Sequence, residues 1–154
     1  MLEKSKNDLL DSGVAVDSQI SPCLSEDVDS LKKSLGVTKF PEAYEKFLLK
    51  IGRGAGSFMQ GTDIFYPGIK ELNKHAVALL EENGESFVLP EDSIVFSMHQ
   101  GYEFLYFRLS DGDDPGVYQY VEGSGEPKKV WCSFTEFVED MLKQHVKDSS
   151  PKER

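Results

Sequence analysis

The fold is decided by the stretch from residue 94 to residue 121, which reads IVFSMHQGYEFLYFRLSDGDDPGVYQYV. Apolar and aromatic residues alternate there with a period of two, which is typical of β-strands, and Gly-containing turns interrupt the pattern. The pattern predicts strands over Ile94–Met98, Tyr102–Leu109 and Gly116–Val121, and a fourth strand follows over Lys129–Trp131. Both faces of the second strand are apolar, so we expect it to be central in an antiparallel meander.

Helical spacing of apolar residues surrounds these strands. We expect four helices: one capped by Ser25 and stopped by Gly36, one from Pro41 to Gly52, one over Ile69–Leu80 closed by Asn83-Gly84, and one after Ser133, which has capping-box spacing to Glu136. A short hairpin is predicted from Phe58–Met59 and Ile64–Tyr66. Together these elements predict an α+β fold in which helices pack on one face of the antiparallel meander, while the other face is open or only partly covered.

The net charge excludes one large class of partner. The 154 residues contain 17 Lys+Arg and 27 Asp+Glu, so the formal charge is −10. Residues 71–126 hold 12 carboxylates and two cations, Lys74 and Arg108, while the rest of the chain has 15 of each sign. A nucleic-acid binder needs a basic surface, and no cluster of cations is present, so we expect no nucleic-acid partner.

The chain organisation indicates one domain. Residues 1–22 are mostly polar and predict a loosely ordered extension, residues 23–146 a single domain, and residues 147–154 a polar tail. The first residues lack the apolar core of a secretory signal, and no stretch has the length of a membrane span. The two cysteines belong to no C-x-x-C pair, which is typical of a reducing compartment. We therefore expect a cytoplasmic protein with no membrane partner; no signal indicates a particular oligomeric state.

Two local motifs carry more than one interpretation. The glycines from Gly52 to Gly56 resemble a phosphate-binding loop, but they follow a helix, which favours a helix end and a tight turn. The acidic run Asp111, Asp113 and Asp114 either binds a cation such as calcium or is a solvated turn, and its spacing does not match an EF-hand loop. The three histidines are far apart, and no nucleophile motif is present. We therefore expect no enzymatic activity, no metal and no cofactor.

The ordered set of motifs resembles the SUKH superfamily. The resemblance begins with Phe40-Pro41-x-x-Tyr44-x-x-Phe47-Leu48 and the bend from Gly52 to Gly56. It continues through Leu89-Pro90, the strand Gly101–Leu109, Gly116-Val117-Tyr118-Gln119-Tyr120 and Ser133-Phe134-x-x-Phe137-Val138, and it covers about residues 24 to 146. The chain departs from the family pattern at Phe40, where leucine is usual, and at Arg53 within the glycine bend.

The resemblance implies a domain that binds a protein and has no catalytic apparatus. Bacterial members are immunity proteins that neutralise a cognate toxin, often a nuclease, and fungal members are regulators of cell-wall synthesis. We therefore expect an immunity protein that binds a basic toxin domain electrostatically; the alternative is a regulatory scaffold without a toxin partner. The residues expected to bind the partner lie on or near the strand turns: Tyr102, Glu103, Asp111, Asp113, Asp114, Tyr118 and Glu122.

Overall fold

The computed structural model describes residues 20–55 and 62–149. These residues form four α-helices and seven β-strands. In chain order the elements are β1 (Ile20–Ser21), α1 (Ser25–Leu35), α2 (Glu42–Ile51), β2 (Gly54–Ala55), β3 (Thr62–Asp63), α3 (Leu72–Glu82), β4 (Ser93–His99), β5 (Glu103–Arg108), β6 (Val117–Val121), β7 (Lys128–Trp131) and α4 (Phe134–Ser149).

The main sheet is an antiparallel meander with the strand order β3-β4-β5-β6-β7. The central strand is β5, and its four inner residues, 104 to 107, are all buried although they point alternately to opposite faces. The α+β fold and the central position of this strand are therefore confirmed. The strand β3, which pairs with the end of β4, extends the four predicted strands to five. Phe58 and Met59, half of the predicted hairpin, lie outside the described residues. The other half was predicted wrongly: Ile64–Tyr66 is not a strand, and Thr62–Asp63, between the two predicted hairpin strands, is the strand instead because it pairs with β4.

Helices contact both faces of the sheet, to different extents. On one face, Phe107 of β5 packs against Tyr44 of α2 and Phe134 of α4, with ring centroids 5.0 and 6.0 Å apart. On the opposite face, the Tyr120 hydroxyl contacts Asn83 and Glu85, which follow α3. The two helices α2 and α4 therefore cover the first face of the sheet. The second face is partly covered, by the residues at the end of α3.

The helix ends follow the sequence signals with two exceptions. The third helix, predicted from Ile69, begins as an α-helix only at Leu72, because Gly68–Glu71 forms a 3-10 helix. Gly36 ends α1 with a φ of +70°, a conformation that glycine adopts without strain. At the start of α4, the backbone N–H of Glu136 donates to Ser133 Oγ over 3.0 Å, as the predicted cap requires. Ser25, however, is not the cap of α1: it is the first helical residue, and Asp27 accepts the backbone N–H of Leu24 instead.

Two described elements extend beyond the predicted domain limits at residues 23 and 146. Ile20–Ser21, which the sequence assigns to the extension, pairs with Gly54–Ala55 in a small two-stranded sheet. At the other end α4 runs through Ser149 and includes residues assigned to the polar tail. Residues 1–19 and 150–154 lie outside the described part. Within that part, the buried apolar side chains form one continuous cluster.

Candidate protein-binding site

Six of the seven residues expected to bind a partner lie at two opposite ends of the sheet, and the seventh, Tyr118, lies within β6. Tyr102 and Glu103 stand where β5 begins, and Glu122 follows the end of β6 beside them. The run from Asp111 to Asp114 follows the other end of β5. Since a strand rises about 3.4 Å per residue, β5 separates the two groups by about 17 Å. They are therefore two surfaces and not one.

The turn from Asp111 to Asp114 holds the N-terminal ends of two helices. The backbone N–H of Ala43, in the first turn of α2, donates to the Asp113 carbonyl oxygen over 2.9 Å. The backbone N–H of Thr135, in the first turn of α4, donates to Asp114 Oδ1 over 2.9 Å. These N–H groups have no partner inside their own helices. The turn thus has a structural role that neither of its sequence interpretations includes.

We expect Asp114→Ala to lower the free energy of unfolding by about 1 kcal/mol, because it removes an N-terminal hydrogen bond and a carboxylate favoured by the helix dipole. Urea denaturation of the wild type and the variant measures the difference. Asp111→Ala, two turn positions away from any of these helix contacts, is the matched control and is expected to change stability by less than about 0.5 kcal/mol. Equal stability of the two variants would contradict the capping role of Asp114.

The acidic turn and the histidines assemble no metal site in the described structure. Within residues 20–55 and 62–149, no group of three or more His, Cys, Asp or Glu side chains lies close enough to hold a metal ion. The charge of Asp113 is also partly balanced, since Lys39 Nζ lies 3.9 Å from its carboxylate. Nearby, Asp92 forms an ion pair with Arg108 at 2.8 Å. The carboxylates at this end of the sheet are largely engaged within the fold.

The opposite end of the sheet carries carboxylates without such partners. We call Asp63, Tyr102, Glu103 and Glu122 the acidic end. Among the described residues, no Lys or Arg lies within 4 Å of its three carboxylates. Tyr102 is 39% exposed and stands edge-on to the ring of His99 at 5.9 Å. An exposed aromatic ring bordered by unbalanced negative charge is suited to contact a basic protein surface.

Tyr118 belongs to neither group. Its ring stacks on Tyr106 with centroids 5.1 Å apart, and Lys129 Nζ lies 5.7 Å from the ring centre. Burial raises the pKa of the neighbouring Tyr106 to about 12, which keeps that phenol neutral at physiological pH. The half-buried Tyr118 thus packs within the second face of the sheet.

A cavity of about 350 Å³ opens beside the acidic end, between the first face of the sheet and α4. Four strands contribute polar lining residues: Thr62, Ser97, His99, Glu103 and Gln119. Thr62 Oγ1 and His99 Nδ1 are 2.8 Å apart, and Gln119 Nε2 donates to Glu103 Oε2 over 2.6 Å. These two pairs fix the orientation of the side chains that face the cavity.

The apolar lining of the cavity comes from β5, β7 and α4. It consists of Leu105, Trp131, Phe137 and Met141, with Gln144 of α4 beside them. Of all the lining residues, only Glu103 was identified from the sequence as a site residue. The strand register shows why the others meet it: Glu103 lies opposite His99, and Gln119 lies opposite Leu105. A correct prediction of this strand pairing would have placed His99, Leu105 and Gln119 close to Glu103.

The glycine bend is held by Arg53. Its guanidinium donates to both carboxylate oxygens of Asp27 over 2.8 and 2.9 Å and lies 4.9 Å from the ring centre of Tyr66. Its backbone N–H donates to Ser21 O. The hydrogen bonds from Arg53 lower the pKa of Asp27 below its usual value. Arg53, the departure from the family pattern, therefore joins the bend to α1 and β1.

The other half of the bend is a helix end. The backbone N–H of Gly52 donates to Leu48 O over 2.9 Å, which closes α2. This part of the bend therefore has the predicted helix-terminating role. Residue 56 lies outside the described part.

None of the described helices is long and apolar enough to cross a membrane.

Comparison with known proteins identifies the family. No curated protein matches the chain. A family model does: SUKH_6, described as SMI1-KNR4 cell-wall, matches residues 25–138, which is well over half of the chain and extends from the start of α1 into α4. The matched region contains β3 to β7, the glycine bend and both ends of the sheet. The chain belongs to the SUKH_6 family of the SUKH superfamily, as its sequence motifs predicted.

Proposed function

We propose that this chain is a cytoplasmic, non-enzymatic immunity protein that binds and neutralises a basic toxin domain, such as a nuclease. Membership of a family of protein-binding domains supports binding in general. The observation that carries the toxin hypothesis is the acidic end, where the three carboxylates form no ion pair with a Lys or Arg of the described residues. Nucleases bind phosphates with cationic clefts, so an acidic protein surface of this kind can occupy such a cleft.

The location of the excess negative charge also supports the acidic end as the surface that binds the partner. The whole net charge of −10 lies in residues 71–126, which form α3 and the centre of the sheet. At the Asp111 end part of this charge is balanced by Arg108 and Lys39. At the acidic end, no ion pair with another described residue balances the carboxylates, so a negative potential is expected at this surface. Such a field increases the association rate of a cationic partner and selects against acidic ones.

The proposed contact residues are Tyr102, Glu103 and Glu122. Tyr102 offers an exposed ring, the type of side chain that is enriched at the centre of protein interfaces. Glu122 is exposed, while its backbone N–H donates to Tyr102 O over 2.9 Å and so fixes the position of the loop. Asp111 contributes to the long-range field, whereas Asp113 and Asp114 are assigned to the helix contacts described above.

We expect Glu122→Lys to weaken binding of the protein encoded by the adjacent gene about tenfold at low salt, mainly through a slower association rate. Surface plasmon resonance at several salt concentrations measures the rates; wild-type affinity is expected to fall as salt rises. Glu91→Lys, the same charge change on the exposed loop at the other end of the sheet, is the matched control and is expected to have a smaller effect. Binding that is indifferent both to salt and to Glu122→Lys would contradict the electrostatic mechanism.

A growth experiment separates the immunity role from the regulatory alternative. If the chain is an immunity protein, its expression in cells restores growth that the adjacent toxin domain otherwise arrests. The family description names the cell wall, which is the setting of the regulatory alternative. A chain that fails to protect, and has no toxin gene beside it, would favour the scaffold role.

A further inference from the structure

We propose that the cavity beside the acidic end receives an arginine side chain of the bound protein partner. The inference rests on the proposed function in that it assumes a basic protein partner, and it adds the chemistry of the anchor. An arginine in a desolvated pocket is a frequent source of most of the binding energy at an interface. The size of the cavity, the carboxylate of Glu103 and the aromatic side chains that border the cavity each support this occupant.

The size and openness of the cavity suit one side chain. At about 350 Å³ it lies at the lower end of the range of ligand pockets, roughly 300–1,000 Å³. Its floor is the sheet and its other wall is α4, two rigid elements that preform the site. Glu103, which follows the exposed Tyr102 directly, joins the cavity to the acidic end. A partner that docks on the acidic end thus has the cavity within reach of its side chains.

The charge of the cavity selects a cation. Among the described residues that line it, Glu103 is the one carboxylate, and none is Lys or Arg. Glu103 Oε2 accepts a hydrogen bond from Gln119, which leaves Oε1 to accept one from a ligand. Lys128 lies opposite Gln119 in the strand register but does not line the cavity. An anionic group would face the Glu103 carboxylate without a compensating charge.

The walls favour a guanidinium over an ammonium group. Trp131 and Phe137 meet edge to face, with centroids 5.0 Å apart, and both border the cavity. The planar, weakly hydrated guanidinium stacks on aromatic faces and donates two parallel hydrogen bonds, whereas an ammonium is strongly hydrated. Leu105 and Met141 offer apolar contacts for the methylene groups of the same side chain. Arginine therefore suits the carboxylate, the aromatic rings and the apolar side chains of the cavity.

A small probe tests the cavity without the partner. We use N-acetyl-arginine amide on the full chain and follow the indole N–H resonance of Trp131, the one tryptophan of the sequence. We expect a saturable shift with a dissociation constant in the millimolar range. Glu103→Gln, which preserves the shape of the side chain, is expected to weaken binding at least tenfold, and Glu91→Gln, a matched charge removal at the far end of the sheet, to leave it unchanged.

Other outcomes would overturn the proposal. They are the absence of a shift at Trp131, equal binding by the wild type and Glu103→Gln, or equal binding of N-acetyl-lysine amide. Micromolar binding of free arginine would also overturn it, because the occupant would then be a small molecule. Should Glu103→Gln lose the fold, which thermal denaturation shows, Met141→Phe serves as the second variant: it narrows the cavity, retains the carboxylate and the single indole resonance, and is expected to weaken binding of the probe.

The probe experiment tests the arginine site and the partner experiment tests the proposed function, so a negative result in one does not decide the other. If the probe binds as expected but the chain neither binds nor neutralises a toxin, the cavity site stands and the toxin hypothesis is wrong. If the chain binds its partner and the probe does not bind, the arginine site is wrong and the proposed function is unaffected.

Discussion

Replacement of Phe134 by alanine is expected to lower the free energy of unfolding by about 3–5 kcal/mol, a large part of the roughly 5–15 kcal/mol that stabilises a typical domain. Phe134 is the first residue of α4 and is completely buried. Its ring contacts aromatic rings from three other elements: Tyr44 and Phe47 of α2, Phe96 of β4 and Phe107 of β5, with centroids 5.2 to 6.0 Å apart. Truncation therefore leaves a cavity where four elements meet.

The edge-to-face geometry explains why the loss is expected to be large. The four pairs have interplanar angles of 74° to 85°, the arrangement in which aromatic rings attract each other beyond the burial of their area. Because these neighbours belong to different rigid elements, the site cannot collapse easily around a smaller residue. Equilibrium denaturation in urea measures the change.

A matched phenylalanine provides the control for this prediction. Phe87 packs against the outside of the core and is only half-buried, so Phe87→Ala is expected to cost clearly less than Phe134→Ala. If the two variants lost equal stability, the aromatic cluster around Phe134 would not be the centre of the fold.

The long elements were predictable because their periodicity extends over many residues. Two apolar faces identified β5 as central, since only a strand covered on both sides buries alternate residues in both directions. The helix ends at Gly36 and Ser133 were predictable because their chemistry is local. The strands of two residues, such as β1 and β3, were not, because two residues cannot display a period of two.

Some hydrogen bonds that a neighbouring strand would make are made by a side chain instead, and these could not be predicted from the sequence. The outer edge of β4 is covered by β3 only near His99. At its other end Asn73 of α3 takes the place of a strand: its Nδ2 donates to Ser93 O over 3.0 Å, and its Oδ1 accepts the N–H of Val95 over 2.8 Å. An asparagine on a helix surface has no local signature of this role, which arises only when α3 docks.

Single residues of the candidate site could be predicted from the sequence, but the surface that they form together could not. An acidic turn with glycine has the same sequence pattern whether it binds a cation, contacts a partner or caps a helix. The hydrogen bond from Thr135 to Asp114 joins residues 21 positions apart and forms only in the folded chain. The cavity draws its lining from five strands and a helix, and the lining residues extend along the sequence from Thr62 to Gln144. Glu103 was identified by its charge, and Gln119 and His99 were missed because they are uncharged or solitary.

Gly52→Ala is expected to lower the free energy of unfolding by about 2–3 kcal/mol, in the upper part of the range for overpacking. The reason is space and not backbone conformation, because Gly52 has an ordinary helical φ of −62°. A Cβ on Gly52 would lie 2.4 Å from Leu48 O and 2.5 Å from Cys23 Sγ. Cys23 is itself buried, and that burial raises the pKa of its thiol to about 11, so it stays a neutral packing group.

A second glycine separates overpacking from the general effect of adding a methyl group. A Cβ on Gly68 meets nothing within 4 Å, so Gly68→Ala is expected to be neutral or slightly stabilising. The double variant Cys23→Ala with Gly52→Ala adds a further test: because it removes one of the two close contacts, its loss is expected to be smaller than the sum of the single losses. If Gly52→Ala unfolded at the same urea concentration as Gly68→Ala, the bend would relax without cost. The close approach of Leu48 and Cys23 would then not require glycine at position 52.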